Sequence, residues 1–308
     1  MHLLRDLNFT SERPCVLALG CFDGVHLGHS AVINEARRIA DSRGLPLTVF
    51  TFEQPPKNFF SHPPTPMITS VEDKLNLLKK LGVSTTICLP LSIDVFSMEA
   101  EDFINDMILK KLSAKHVVCG YDYAFGKGAT GDASLIKKIC NQKNVKLTVI
   151  PEQKLGNITL SSSLIRTLVI EGDVKNAALY LGRPFSLSST VVNGQHLART
   201  LGFPTVNIIP KEGLLLPKNG VYITKVHFNG THRYGITNVG NRPTIGTKIM
   251  CAETHIFDFE GDLYGQKITL DFFDYLRPEL KFDDVESMSK QIYKDIAQAK
   301  AYIKNIVE

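Results

Sequence analysis

Two hydrophobic rhythms divide the chain. In the first half, short apolar runs rich in β-branched residues alternate with longer segments whose apolar residues recur every three to four positions. The runs at 16–19, 47–52, 85–89, 116–119 and 146–150 predict strands, and the segments at 30–43, 70–81, 100–112 and 133–143 predict helices. Strands that are apolar on both faces, with helices between them, make an α/β parallel sheet covered on both sides. Beyond Pro184 the runs at 188–192, 205–208, 222–228, 233–239, 252–257 and 267–273 are short and alternating, with turn pairs such as Asn229-Gly230 and Glu260-Gly261 between them. This pattern predicts an antiparallel β-barrel. A final segment, 285–304, carries Met288, Ile292, Ile296 and Ala299 on one stripe and predicts a C-terminal helix. The expected domains are 1–183, including a short linking helix at 174–181, and 184–308.

Bulk numbers narrow the class. The 308 residues suffice for two domains, and 44% hydrophobic with 21% charged residues is an ordinary globular balance. A formal charge of +4 suits anionic small molecules and is too small for a nucleic-acid binder. The six cysteines form no CxxC pair, which argues against a zinc site or a disulfide scaffold and for reduced thiols. The first 14 residues lack the apolar core of a signal peptide, and no apolar run nears the ~20 residues that span a bilayer. The expectation is a cytoplasmic protein without membrane or nucleic-acid partners; nothing in the sequence fixes an oligomeric state.

The densest chemistry lies in Gly20-Cys21-Phe22-Asp23-Gly24-Val25-His26-Leu27-Gly28-His29, between the first predicted strand and the first predicted helix. Two imidazoles three residues apart, flanked by glycines at a helix start, suit a phosphate group. Gly20, Gly24 and Gly28 permit close backbone approach. Cys21 is the turn's one thiol, so charge stabilisation fits better than covalent chemistry. Two further segments fall where α/β folds bind ligands, beyond strand ends or at a helix start. Asp122, in Gly120-Tyr121-Asp122-Tyr123-Ala124-Phe125-Gly126, suits a polar ligand group or a metal-bound water. Ser162, Ser163 and Arg166 offer hydroxyls and a planar fork to phosphate oxygens. Each has an ordinary alternative: a turn aspartate, an N-cap serine, a solvated arginine.

His26-Leu27-Gly28-His29 resembles the signature of the nucleotidylyltransferase superfamily. Nearly the whole chain resembles the prokaryotic bifunctional riboflavin kinase/FAD synthetase family. GCFDGVHLGH, GYDYAFG and SSSLIR carry the resemblance in the first half. LGFPTVN, GVY, NVGNRPT, AETHIFDFEGDLYG and FFDYLRPELKF carry it in the second. The resemblance implies a Rossmann-like FMN adenylyltransferase domain followed by a riboflavin-kinase-like barrel, with ATP, FMN and riboflavin as small-molecule partners and Mg²⁺ as cofactor. It assigns catalysis of adenylyl transfer to His26, His29 and Arg166. Nucleotide binding falls to Gly20, Phe22, Asp23, Gly24, Gly28, Asp122, Ser162 and Ser163. In the kinase-like half it assigns nucleotide contacts to Gly194 and Gly202, metal ligation to Thr205 and Asn207, and the base to Glu253. Without the resemblance, Thr205 and Asn207 read as a polar strand edge and Glu253 as a solvent-facing residue.

The chain departs from the family pattern twice. Phe52-Glu53-Gln54-Pro55-Pro56 stands where the family carries Phe-x-Pro-His-Pro, a change that bears on flavin binding. Gln195, Leu197 and Ala198 stand where the family's phosphate-covering loop carries Asp, Arg and Gly. A lost guanidinium and a lost glycine predict a weak or absent kinase beside a complete adenylyltransferase. The alternatives are a fully bifunctional enzyme, and a barrel that binds flavin without turnover. A first half that adenylylates pantetheine phosphate or nicotinamide mononucleotide fits the attached barrel poorly.

Overall fold

The computed structural model describes residues 1–9, 13–192, 203–244 and 247–307. The chain packs as two compact units, Met1–Ser162 and Ser163–Glu308.

The first unit is built on a six-stranded parallel sheet. Its strands are β1 (His2–Leu4), β2 (Cys15–Leu19), β3 (Leu47–Phe52), β4 (Thr85–Leu89), β5 (Ala114–Gly120) and β6 (Lys146–Ile150), in spatial order β1-β4-β3-β2-β5-β6. The helices are α1 (Leu27–Arg43), α2 (Val71–Lys80), the short α3 (Ile93–Phe96), α4 (Ala100–Asp102) and α5 (Ala133–Gln142). Side chains alternate across β2. Cys15, Leu17 and Leu19 join a core with Phe103, Ile104, Met107, Ile136 and Ile139 on one face, while Val16 and Ala18 join Val32, Ile33, Ala36 and Ile39 of α1 on the other. Helices thus cover both faces, as the apolar runs predict.

Three features depart from the sequence reading. The triplet at β1 is too short to announce itself and adds an edge strand beside β4. α4 continues into the π-helical stretch Phe103–Lys111, which ends with the Leu112 N–H donating to the Met107 carbonyl, five residues back. A two-stranded hairpin, β7 (Lys154–Leu155) and β8 (Ile158–Thr159), precedes the second unit.

In the second unit, α6 (Ser162–Glu171) and α7 (Val174–Leu181) lead into a closed barrel. Its strands are β9 (Phe185–Val192), β10 (Thr205–Ile208), β11 (Gly220–Phe228), β12 (Thr231–Thr244), β13 (Thr247–Ile256) and β14 (Lys267–Arg277), in the closed order β10-β13-β12-β11-β14-β9. All pairs are antiparallel. The β12–β13 hairpin runs well past the predicted strand ends, to Thr244 and Thr247. Inside the barrel, the hydroxyls of Thr224, Thr237 and Thr254 form a chain at 2.7 and 2.8 Å, so these buried polar groups satisfy one another. Outside, α8 (Val285–Val307) lays Ile292, Ile296 and Ala299 on Val221, Ile223 and Ile236. Arg277 grips Asp295 of α8 through three hydrogen bonds of 2.7 to 3.0 Å.

Candidate active sites

The strand order has a switch point between β2 and β5: β3 and β4 lie to one side of β2, and β5 and β6 to the other. Ligands of open α/β sheets bind beyond the carboxyl ends of strands at such a point. Leu19 of β2 is in register with Cys119 of β5, so the turns opening at Gly20 and Gly120 leave the sheet side by side. One carries the histidine pair and the other Asp122.

The helix begins earlier than its apolar spacing indicates. α1 starts at Leu27, and His26 is its N-cap, with extended φ −73° and ψ 173°. The His26 Nδ1 accepts the His29 backbone N–H at 3.3 Å, a capping role usually taken by Ser, Thr, Asp or Asn. His29 therefore sits in the first helical turn, stacked on His26 with ring centroids 3.7 Å apart and 20° between planes. The amides of Leu27 and Gly28 open the helix and have no intrahelical acceptor of their own. Aligned peptide dipoles place positive potential at the same end.

Backbone strain shapes the turn. Phe22 has φ 52°, Gly24 φ 82° and Val25 φ 39°. A β-branched residue at positive φ is costly and persists only where its surroundings enforce it. The enforcement is visible. The Phe22 ring is buried, meets His29 edge-on at 5.4 Å, and lies where a Cβ on Gly20 would come within 2.7 Å of it. A Cβ on Gly28 would come within 3.0 Å of the His26 ring. Asp23 is buried, and its carboxylate accepts the backbone N–H groups of Ile68 at 3.0 Å and Thr69 at 3.4 Å. The Gly24 N–H donates to the Thr69 hydroxyl at 3.3 Å. Asp23 and Gly24 thus tie the histidine turn to the entry of α2.

Ser162 donates its hydroxyl to the Asp23 carbonyl at 3.0 Å, which brings it to the same turn. Asp122 is exposed just past β5, while Tyr123 and Phe125 stack at 5.6 Å against the core. Burial, with the charge of Asp122 added, pushes the Cys119 thiol up to about 12. Ser163 is exposed and Arg166 buried, both on α6 in the second unit.

Sequence reasoning missed Lys74. Its place in α2 reads as part of a polar face, yet it is 2% exposed. Its ammonium donates to the carbonyls of Phe52 and Glu53 at the carboxyl end of β3. Beyond it, the Asn58 amide braces Thr65 through two bonds of 2.8 and 2.9 Å, and Phe52 and Phe59 stack on Phe96. The segment with the altered Phe-x-Pro-His-Pro motif is therefore fastened by Lys74 at its start and by Asp23 at its end.

In the barrel, β10 pairs with β13 so that Asn207 faces Glu253 across the ladder. The Thr205 hydroxyl donates to Glu253 Oε1 at 2.6 Å, and the buried Asn207 amide oxygen accepts the Cys251 thiol at 3.5 Å. These three residues, nominated by resemblance alone, form one cluster. Thr205 and Asn207 also line a cleft of about 400 Å³ with Phe259, Asp262 and Tyr264. No cluster of three or more His, Cys, Asp or Glu side chains suited to a metal occurs among the described residues. The donors on hand are a hydroxyl, an amide oxygen and a carboxylate. Such hard oxygens fit Mg²⁺, which is usually held by one or two protein groups together with substrate phosphates. Gly194, Gly202 and the substituted Gln195, Leu197 and Ala198 lie outside the described residues. No helix among the described residues is long and apolar enough to cross a membrane.

Comparison with known proteins agrees with both halves. A family model described as FAD synthetase matches residues 8–164, and one described as riboflavin kinase matches 181–303. A bifunctional riboflavin kinase/FMN adenylyltransferase of Listeria monocytogenes is 35% identical over 290 residues, 93% of this chain and 92% of the relative. Its Bacillus subtilis counterpart is 33% identical over 310 residues, covering 99% and 96%. A Streptococcus pneumoniae crystal structure titled as a macrolide-efflux protein superposes with TM-score 0.90 at 28% identity, covering 97% of this chain and 99% of that one. The impaired kinase expected from the 195–198 substitutions finds no support in these relatives, which favour the fully bifunctional alternative. With both units matched over nearly their whole length, the chain belongs to the bifunctional riboflavin kinase/FMN adenylyltransferase family.

Proposed function

We propose that the chain carries out two consecutive reactions: phosphorylation of riboflavin to FMN at the barrel, and adenylylation of FMN to FAD at the α/β unit. The observation that supports this most is the match of both units to relatives named for both activities. We place the functional boundary at 183/184, keeping Ser163 and Arg166 with adenylyl transfer on the resemblance of their SSSLIR motif.

For adenylyl transfer, the FMN phosphate is the nucleophile, so alignment and charge stabilisation supply the catalysis. The paired imidazoles of His26 and His29 face the α-phosphate, with the open amides of Leu27 and Gly28 and the helix dipole behind them. Gly20, Phe22, Asp23 and Gly24 hold the turn's shape, and Asp122 places the nucleotide. An FMN phosphate oxygen bonds to the α-phosphorus of ATP as the bond to the departing pyrophosphate breaks.

For the kinase, Glu253 takes the proton of the riboflavin 5′-hydroxyl as that oxygen attacks the ATP γ-phosphorus and ADP leaves. Thr205 and Asn207 would hold Mg²⁺ and orient the phosphates. When bound, Mg²⁺ neutralises charge on the phosphate oxygens.

Product analysis after incubation with riboflavin or with FMN, each with Mg-ATP, tests the proposal. FMN and then FAD are expected from riboflavin, and FAD and pyrophosphate from FMN. A chain that makes FAD from FMN yet no FMN from riboflavin has only the second activity, adenylyl transfer.

A further inference from the structure

Glu253 has a neighbour on its other side to which the family resemblance gives no role. β13 pairs with β12 as well as β10, and Asn238 stands directly opposite Glu253 in that second ladder. Cross-strand partners present their side chains on one face of a sheet. Asn207, Glu253 and Asn238 therefore form a row across three strands, with Glu253 in the middle.

The Asn238 side chain is oriented by a residue from a distant part of the barrel. Its Nδ2 donates to Glu279 Oε1 at 3.1 Å, and the Asn219 amide donates to the other carboxylate oxygen at 3.4 Å. Gly240 leaves the room: a Cβ there would fall 2.1 Å from Glu279 Oε1. The motifs concerned are NVG at 238–240 and RPE at 277–279, and the bonded residues lie 41 positions apart in the chain. An ionised carboxylate only accepts hydrogen bonds, so it selects the amide nitrogen of Asn238. The carbonyl oxygen is thereby turned away from Glu279.

We propose that Asn238 is a specificity-determining residue of the kinase: its fixed carbonyl oxygen accepts a hydroxyl of the polyhydroxylated chain of the flavin, and Glu279 is the positioning residue that sets it. This rests on the kinase reading, since the row matters because Glu253 meets the terminal hydroxyl of that chain. A base at one hydroxyl and a fixed acceptor beside it read a polyol, whereas neither reads the ring system.

The test compares riboflavin with lumiflavin, which has the same ring system and a methyl group in place of the polyol. Wild-type turnover of riboflavin is measured first; if no FMN forms, the kinase reading fails and this proposal with it. Given turnover, N238A is expected to raise the riboflavin KM roughly five- to tenfold, the worth of one hydrogen bond. Lumiflavin inhibition and the KM for ATP should stay within twofold, which also reports an intact barrel. E279A and G240A, which free the amide without removing it, should raise the riboflavin KM roughly two- to fivefold. E279Q keeps an acceptor and should restore most of the affinity. An N238A enzyme that loses riboflavin and lumiflavin in parallel, or loses kcat with the riboflavin KM unchanged, overturns the proposal.

Discussion

An alanine at position 28 would set a methyl group 3.0 Å from Cε1 and 3.1 Å from Nδ1 of the His26 ring. At that separation the imidazole must retreat by a few tenths of an ångström. It then leaves its stack on His29, at 3.7 Å, and stretches a capping bond that is already 3.3 Å long. A 1 Å misplacement in an active site costs roughly a hundredfold in rate, so a shift of about 0.3 to 0.5 Å corresponds to about four- to tenfold. Stability should move the other way or not at all. Gly28 is inside the first turn of α1, where alanine gains about 0.5–1 kcal/mol over glycine, and the weakened cap offsets a similar amount. G28A should therefore melt at or above the wild-type temperature while making FAD from FMN four- to tenfold more slowly. FMN formation from riboflavin, at the barrel, is the internal control and should be unchanged. FAD formation within twofold of wild type would show that the ring does not need its place against Gly28.

His29→Ala should slow FAD formation with little change in FMN affinity, checked by turnover beside flavin fluorescence titration; equal losses would make the residue structural. E253Q should lower FMN formation by roughly 10²- to 10⁴-fold and leave FAD formation from FMN intact, read by chromatography of the flavin products. R277M leaves the buried Asp295 carboxylate without its cation and should destabilise the barrel by about 3–5 kcal/mol in urea titrations followed by barrel tyrosine fluorescence. Alkylation at pH 8 should spare Cys15, Cys119 and Cys140, whose thiols burial pushes up to about 11, 12 and 11, so that almost none is thiolate. The half-buried Cys21 should react before them, and peptide mapping after a short pulse checks the order.

The central strands, the covering helices and the barrel strands were legible because each buries an apolar pattern of its own period. The place of the histidine turn, between β2 and α1, was legible because its glycines separate an apolar run from an amphipathic one. What stayed hidden depends on partners far away in the chain. Phe22 and Val25 give no local sign of positive φ; it accompanies the packing of the Phe22 ring under Gly20 and the ties of Asp23 and Gly24 to Ile68 and Thr69. Lys74 reads as solvated because only the folded chain supplies the carbonyls of Phe52 and Glu53. The extension of β12 through Asn241-Arg242-Pro243-Thr244 reads as a loop, since proline is rare inside strands, yet the ladder continues there to Thr244. The apolar spacing sets the start of α1 three residues late, at 30 rather than Leu27, because histidine is an uncommon cap.

The two fastenings at Lys74 and Asp23 make the stretch between them an exchangeable cartridge. Everything from Gln54 to Met67 hangs between posts that belong to α2 and the histidine turn, with its own internal strut from Asn58 to Thr65. Such an insert can change its wording, as Glu53-Gln54-Pro55-Pro56 illustrates, while the fastenings at Lys74 and Asp23 keep the histidine turn in place. For the adenylyl transfer proposed above, choice of acceptor and power over the leaving group would then be separately tunable in one small domain.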